Sequence, residues 1–216
     1  MFTDKLEKIF QNVSKFVDEK SEVRDNVYPL IRKGIRLAAL VIHALHNDNK
    51  IMAEENLTKL RDLIKNIYTL LSEHYDLLYS NFLLNLLQEY VEAELFYSVV
   101  VNNTILSPDE LNVSFSAYLL GLSDLIGELR RRILILLNKK RVDEAKNLLK
   151  IMISIYDNLS SLEIPDSIVP GYKHKKDIAR LIIDRTLSDM VITELTIKIS
   201  SMGMLENETK EKENNH

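Results

Sequence analysis

Five glycines and four prolines in 216 residues constrain this chain more than any motif does. An average protein carries roughly 12% of the two together. A chain that keeps so few has little means of turning its backbone sharply, and hairpin-rich β folds depend on such turns. The apolar residues point the same way. Leu6, Ile9, Phe10, Val13, Phe16 and Val17 recur at helical spacing over residues 3–20, and Leu57, Leu60, Leu63, Ile64, Ile67, Leu70 and Leu71 over 51–74. The pattern predicts further helices at about 22–46, with Pro29 inside as a potential kink, and at 77–103, 114–138, 142–161 and 174–201. The turn clusters are NDNK at 47–50 and NKKR at 138–141, and EIPDSIVPGY at 163–172 is the one substantial loop. Ser107-Pro108-Asp109-Glu110 has the form of a capped helix start, with Ser107 and Glu110 as a capping box. The expectation is an all-α fold: a single antiparallel bundle of six to seven helices spanning 1–203, followed by a polar, disordered tail at 204–216.

Composition closes several routes. No cysteine is present, which excludes disulfides, thiolate catalysis and Cys-ligated zinc. No apolar run reaches the roughly 18 residues of a membrane span, and the start, MFTDKLEKIF, lacks the apolar core of a secretory leader. A cytoplasmic address is expected by default. Net charge −4 argues against a uniformly basic nucleic-acid coat, though not against a local basic groove. The Lys, Ile and Asn usage suggests an AT-rich, archaeal genome. No Walker-type phosphate loop and no Rossmann fingerprint occurs.

The chemistry concentrates in two helical segments. In LLQEYVEAELF (86–96), Leu83, Leu86, Leu87, Tyr90, Val91, Leu95 and Ser98 form an apolar stripe on a helical wheel. Glu89 and Glu92 lie roughly opposite, sharing a face with Phe82, Ala93 and Phe96. Glu94 falls inside the apolar stripe, where a charge is costly unless a cation meets it. In AYLLGLSDLIGELRRRILILL (117–137), Asp124 and Glu128 are four apart and point away from the core stripe. Ala117 and Gly121 line the same side, and Gly121 and Gly127 suggest close helix approach or access. Two facing carboxylate pairs would bring four oxygen ligands together, a set suited to Mg²⁺ or Mn²⁺ and to phosphodiester hydrolysis. The plain alternative is solvated or salt-bridged acids, with Arg130, Arg131 and Arg132 at hand as partners.

These segments, in order with SPDEL, VDEAKNLLKIMISIYDNL and IPDSIVPGYKHKKDIARLIIDRTLSDM, resemble the translin superfamily over about residues 20–195. Within it, the chain is most similar to translin-associated factor X (TRAX) and its archaeal TRAX-like relatives. The resemblance implies a helical fold and a homo-oligomeric shell, expected to be an octamer, with a translin-type subunit as a further potential partner. It also implies a metal-dependent endoribonuclease acting on single-stranded RNA. The family's carboxylates match Glu89, Glu92, Asp124 and Glu128 here, as both metal ligands and catalytic residues, with Mg²⁺ or Mn²⁺ as cofactor. The alternative within the family is a translin-like scaffold that binds RNA or single-stranded DNA without cutting it. The segment YPLIRKGIRLAAL (28–40) departs from the family pattern, because Pro29 and Gly34 interrupt a helix that is more regularly polar and basic in relatives.

Candidate RNA contacts are Arg32, Lys33 and Arg36, together with Lys173, Lys175, Lys176, Arg180 and Arg185. The clusters at 130–132 and 139–141 are further basic candidates, and a solvated helix face is the bland reading of each group. His43 and His46, three apart, suggest a metal pair or, more plainly, helix-surface or RNA-facing residues; neither is the histidine of a Glu-x-x-His motif. Tyr90, Tyr97, Tyr118 and Tyr156 sit at core spacings and are expected to pack rather than to stack on bases.

Overall fold

The computed structural model describes the backbone of residues 2–78 and 81–213, and the side-chain surroundings as far as Ile199. Among the described residues there is no strand. The helices are α1 (Phe2–His46), α2 (Lys50–Leu70), α3 (Tyr75–Leu78), α4 (Asn81–Tyr97), α5 (Pro108–Leu111), α6 (Phe115–Asn138), α7 (Val142–Ser160) and α8 (Tyr172–Glu213), with a π-helical turn at Ser98–Asn102. The sequence suggests one domain over 1–203. By its internal packing the chain divides into two compact units, Met1–Gly121 and Leu122–His216, and the division falls inside α6. Of the expected polar tail, residues 204–213 continue the α8 backbone, and 214–216 lie outside the described residues.

Two predicted helices, 3–20 and 22–46, are one continuous α1. Nothing between them breaks a helix, since residues 20–22 are Lys, Ser and Glu. Pro29 does not end it either. Proline removes the N–H that the Asp25 carbonyl would otherwise accept, but Pro29 and Asp25 are both exposed, so water can take that place. Gly34 is a packing residue rather than an interruption. A Cβ there would lie 2.5 Å from Leu86 Cδ1 and 3.3 Å from Leu63 Cδ2, so the missing side chain lets α1 settle against α2 and α4.

The core of the first unit follows from spacing. Val27, Ile31, Ala38, Val41 and Leu45 of α1 meet Leu57, Leu60, Ile64 and Ile67 of α2, and Leu83, Leu86, Val91 and Leu95 of α4; all are buried. Each such side chain contributes roughly 1.5–3 kcal/mol on burial. Asn49 caps α2, its Oδ1 accepting the Met52 N–H at 3.0 Å. The stripe predicted to continue to residue 74 outlasts its helix: Leu71 is fully buried, yet it already lies in the turn after α2. The expected helix over 77–103 is likewise divided, into α3, α4 and the π turn, and residues 79–80 lie outside the described residues.

The π turn closes at Asn103, in the left-handed region at φ 53°, and the Ser98 hydroxyl donates to the Thr104 carbonyl at 2.9 Å. The capping box forms as predicted, with the Ser107 hydroxyl accepting from Glu110 N–H and the Glu110 carboxylate from Ser107 N–H. That backbone hydrogen bond, and then the Ser107 hydroxyl, hold the Glu110 carboxyl below the usual carboxylate range.

In the second unit α7 and α8 pack together through Leu148, Met152 and Leu159 on one side and Tyr172, Ala179 and Ile183 on the other. The Tyr172 hydroxyl donates to the Leu159 carbonyl at 2.6 Å, and burial pushes that phenol up. Arg130 of α6 reaches α8 twice, donating to Thr186 Oγ1 at 2.9 Å and pairing with Asp189 at 2.9 Å. The loop at 161–171 is where the sequence predicts it.

Candidate functional site

The acidic helix α4 is enclosed nearly all round. Its apolar stripe is buried as expected, and so is the opposite face: Ala93 and Phe96 are fully buried. Glu92 shares that face and is only 8% exposed. Glu89 is half-buried, and both glutamates have interaction partners. Phe82, the last residue of this face, lies 5.4 Å from the Arg24 guanidinium of α1, within the range of a cation–π contact.

Gly121, in the part of α6 that belongs to the first unit, lies close against α4. A Cβ on Gly121 would lie 2.7 Å from the Gln88 carbonyl oxygen and 2.8 Å from Val91 Cβ. That carbonyl belongs to the backbone and cannot yield, so the sequence argument for close approach at Gly121 holds. Gly127 has open space where its side chain would be. There the second alternative, access, is the relevant one.

Glu94, set into the apolar stripe, is 1% exposed and meets the cation its position demands. Arg61 of α2 grips it with both arms of the fork, Nε to Oε1 at 2.6 Å and Nη2 to Oε2 at 2.8 Å. The hydrogen bond to Glu94 keeps the Arg61 guanidinium charged well above its ordinary range. Burial, then the Glu94 charge and the hydrogen bond to it, push the Tyr90 phenol up. Tyr97 is raised to about 12 by burial and by its hydrogen bond to Glu54, which also lies 3.4 Å from Arg61. A groove of about 780 Å³ opens over this cluster. Sequence reasoning located Glu94 as an anomaly but not its partner, which is 33 residues away on another helix.

The second carboxylate pair lies in the second unit. Asp124 Oδ1 accepts from Lys175 Nζ at 2.5 Å, and both side chains are 26% exposed. They line a cavity of about 420 Å³ together with His174, Ser123 and Gly127. Glu128 is 24% exposed, with Arg131 at 3.9 Å, one of the arginine partners that the sequence offered. None of the four predicted acids is splayed into bulk solvent. Among the described residues, however, no three Asp, Glu or His side chains are grouped to hold a metal ion.

The basic candidates divide. Arg32, Lys33 and Arg36 are exposed along α1, on the side away from buried Ile31, Gly34 and Ala38. Lys173, Arg180 and Arg185 are exposed on α8. Lys175 is engaged by Asp124, and Lys176 lies 3.4 Å from the Leu162 carbonyl and 6.0 Å from the Tyr172 ring centre. Of the 130–132 and 139–141 clusters, Arg132 is buried, and Arg130 and Arg141 form ion pairs with Asp189 and Glu144. His43 and His46 do not make a pair. His43 is exposed beside Asn47, whereas His46 is buried, its ring centre 4.9 Å from that of Phe96. The expected surface role therefore fails for His46, because its position in α1 turns it inward onto α4. Tyr90 is buried, Tyr118 donates to the Leu106 carbonyl at 2.8 Å, and Tyr97 and Tyr156 are partly buried, as packing residues would be.

No helix among the described residues is long and apolar enough to cross a membrane. The translin family model matches residues 31–180. An uncharacterized protein of Methanocaldococcus jannaschii is 29% identical over 186 residues, 85% of this chain and 82% of that one. Among solved structures, AfC3PO is similar with a TM-score of 0.80 and 26% identity over 87% of this chain and 97% of that chain. AfC3PO in complex with duplex RNA gives 0.77 and 27%, over the same shares of 87% and 97%. Apo-NeC3PO gives 0.76 and 25%, covering 85% of this chain and 96% of that one.

Proposed function

The chain belongs to the translin family, and from that premise we propose that it is a TRAX-type, Mg²⁺- or Mn²⁺-dependent endoribonuclease working as a homo-oligomer. The observation that carries the reading is the full acidic set, Glu89, Glu92, Asp124 and Glu128, on helices α4 and α6, with Glu92 buried and the other three half-buried. The donor chemistry fits a hard divalent ion, since the four groups are all carboxylates in a chain without cysteine. Mg²⁺ retains several waters and is commonly held by one or two carboxylates plus substrate phosphate, so a ready-made protein cage is not required.

In this reading Glu89, Glu92 and Asp124 would hold the ion, and Glu128 would complete the set or orient the attacking water by accepting a hydrogen bond from it. An ion so held would supply charge stabilisation for phosphodiester hydrolysis. Arg32, Lys33 and Arg36, exposed on α1, and Lys173, Arg180 and Arg185 on α8 supply phosphate contacts. The solved complex of AfC3PO with duplex RNA supports RNA as the ligand class. Self-association is supported by the apolar face that the start of α1 leaves open: Phe2, Phe10, Val13, Phe16 and Val17 are each at least half exposed.

A second reading, a non-catalytic RNA-binding scaffold, is favoured by one observation. Asp124 and Glu128 already have protein cations, Lys175 and Arg131, beside them. One assay separates the two. Single-stranded and duplex RNA are incubated with the full chain in Mg²⁺, Mn²⁺ or excess chelator, and with the Asp124→Asn variant. Metal-dependent cutting that Asp124→Asn abolishes, with RNA still bound, is the expected result. Binding without cutting in either metal establishes the scaffold, and cutting that survives chelation ends the metal reading.

A further inference from the structure

The start of α1 is a helix whose apolar face is uncovered. Every residue from Phe2 to Glu19 is exposed, and the first buried residue of α1 is Val27. A helix in a protein depends for its stability mostly on packing of such a face. This stretch is rich in Phe, Val and Ile, which are mediocre helix formers. It also precedes residues 31–180, which the translin family model matches.

Its apolar residues are not scattered. Phe2, Leu6, Ile9, Val13 and Phe16 follow one another at steps of four, three, four and three, which is the seam of a coiled coil. Phe10 and Val17, each one residue past a seam position, widen one flank, and Lys5, Asn12 and Glu19 line the other. The next seam position is Lys20, which pairs with Asp76 of its own chain at 2.6 Å. The seven apolar side chains are between 42% and 82% exposed. An aromatic side chain buries roughly 150–250 Å². Covering the whole stripe therefore removes on the order of 600 Å² per copy, close to the roughly 800 Å² per partner of a stable interface.

We propose that residues 2–20 of α1 pair antiparallel with the same residues of a second copy of this chain, about a twofold axis. The inference rests on the homo-oligomer part of the reading above and names its contact. One register satisfies the whole seam. Leu6 of one copy packs on Phe16 of the other and Ile9 on Val13, each twice, so every layer joins a larger side chain to a smaller one. Phe10 meets its own mate at the axis. On the opposite flank Lys5 falls beside Glu19 of the second copy, again twice, so the charges are complementary. A parallel pair loses these features. It sets Lys20 against Lys20 within the seam, where like charges repel, and leaves Lys5 beside Phe10.

The test is the mass of the full chain in solution, by analytical ultracentrifugation over a range of concentrations. The chains compared are wild type, Ile9→Asp/Val13→Asp, Lys5→Glu and Lys5→Glu/Glu19→Lys. All these positions are exposed in the single chain, so its core is untouched. Ile9→Asp/Val13→Asp raises the dissociation constant about tenfold or more, because it puts unpaired carboxylates into an apolar seam. Lys5→Glu weakens association, and the exchange of both charges restores it; failure to restore overturns the register. Direction is read by pulsed electron paramagnetic resonance. The chain has no cysteine, so Gln11→Cys and Asp18→Cys each carry one nitroxide label per copy. The antiparallel pair sets the two labels at position 11 level and offsets those at position 18 by about 21 Å along the axis. The longer distance is therefore expected for Asp18→Cys, and equal distances overturn the proposal. Assembly as tight in Ile9→Asp/Val13→Asp as in wild type also overturns it, and leaves a homo-oligomer built through another surface. Wild type that stays monomeric at every concentration removes the homo-oligomer reading itself and assigns this face to a different occupant.

Discussion

Removing Arg61 is the sharpest test of how the first unit tolerates acid in its core. Arg61→Met keeps most of the side-chain volume and strands Glu94, whose side chain is 1% exposed. Breaking a buried ion pair by deleting one partner costs about 3–5 kcal/mol. Arg61 itself is 43% exposed, and solvent already screens its end of the pair, so the low end, about 3 kcal/mol, is expected. With a urea dependence of about 2 kcal/mol per molar, the unfolding midpoint falls by about 1.5 M. The measurement is urea unfolding at one fixed protein concentration, because any self-association adds to apparent stability.

One control separates charge burial from lost packing. Glu94→Gln in the Arg61→Met background removes the stranded charge while retaining an oxygen for the Tyr90 hydroxyl, which bonds Glu94 in the native chain. The double variant is expected to recover at least about 1 kcal/mol. A loss below about 0.5 kcal/mol would refute the claim that Arg61 is there to neutralise Glu94.

Three further outcomes are expected. Gly121→Ala lowers the unfolding free energy, read from urea unfolding, by about 1–3 kcal/mol because its Cβ meets the Gln88 carbonyl at 2.7 Å, whereas Gly127→Ala, with open space around it, is neutral or stabilising by up to about 1 kcal/mol. The Asp76 carboxyl is held below its usual range first by the hydrogen bond from Lys20, 2.6 Å away. Its contribution is present above the unfolded value of about 3.9 and fades as pH falls through the lower native one, so Asp76→Asn lowers the urea midpoint more at pH 6 than at pH 3. Replacing Arg32, Lys33 and Arg36 together by Ala weakens binding of single-stranded RNA similarly for all sequences and reduces the slope of log K against log salt by about 2, roughly 0.7 for each lost phosphate contact; an unchanged slope would place the RNA elsewhere.

What was legible in the sequence is what depends on local spacing. The capping box at Ser107 and Glu110, the loop at 163–172, the extent of α6 and the close approach at Gly121 each follow from residues near one another in the chain. The misreadings share a different cause. Periodicity reports which side chains face inward, not how the backbone is hydrogen-bonded. So Leu71 continued the stripe of α2 past its last helical turn, and the π turn at Ser98–Asn102 gave no signal at all. Intrinsic preference alone marks Pro29 and Gly34 as interruptions, whereas exposure of the one and burial of the other against Leu86 decide their effect.

The acids show where local reasoning stops. A helical wheel can say that Glu94 is misplaced and that Glu89 and Glu92 share a face, but the identity of a compensating cation is non-local. Arg61 lies 33 residues before Glu94, and Lys175 lies 51 residues after Asp124. These two pairs also differ in a way that bears on function. Glu94 is sealed by a bidentate guanidinium, which stays charged and gives up two hydrogen bonds at once if it leaves. Asp124 is met by the Lys175 ammonium beside a cavity, and both side chains stay 26% exposed. A carboxylate gripped by a fork and closed off from water belongs to the framework, and the contrast places Glu94 there.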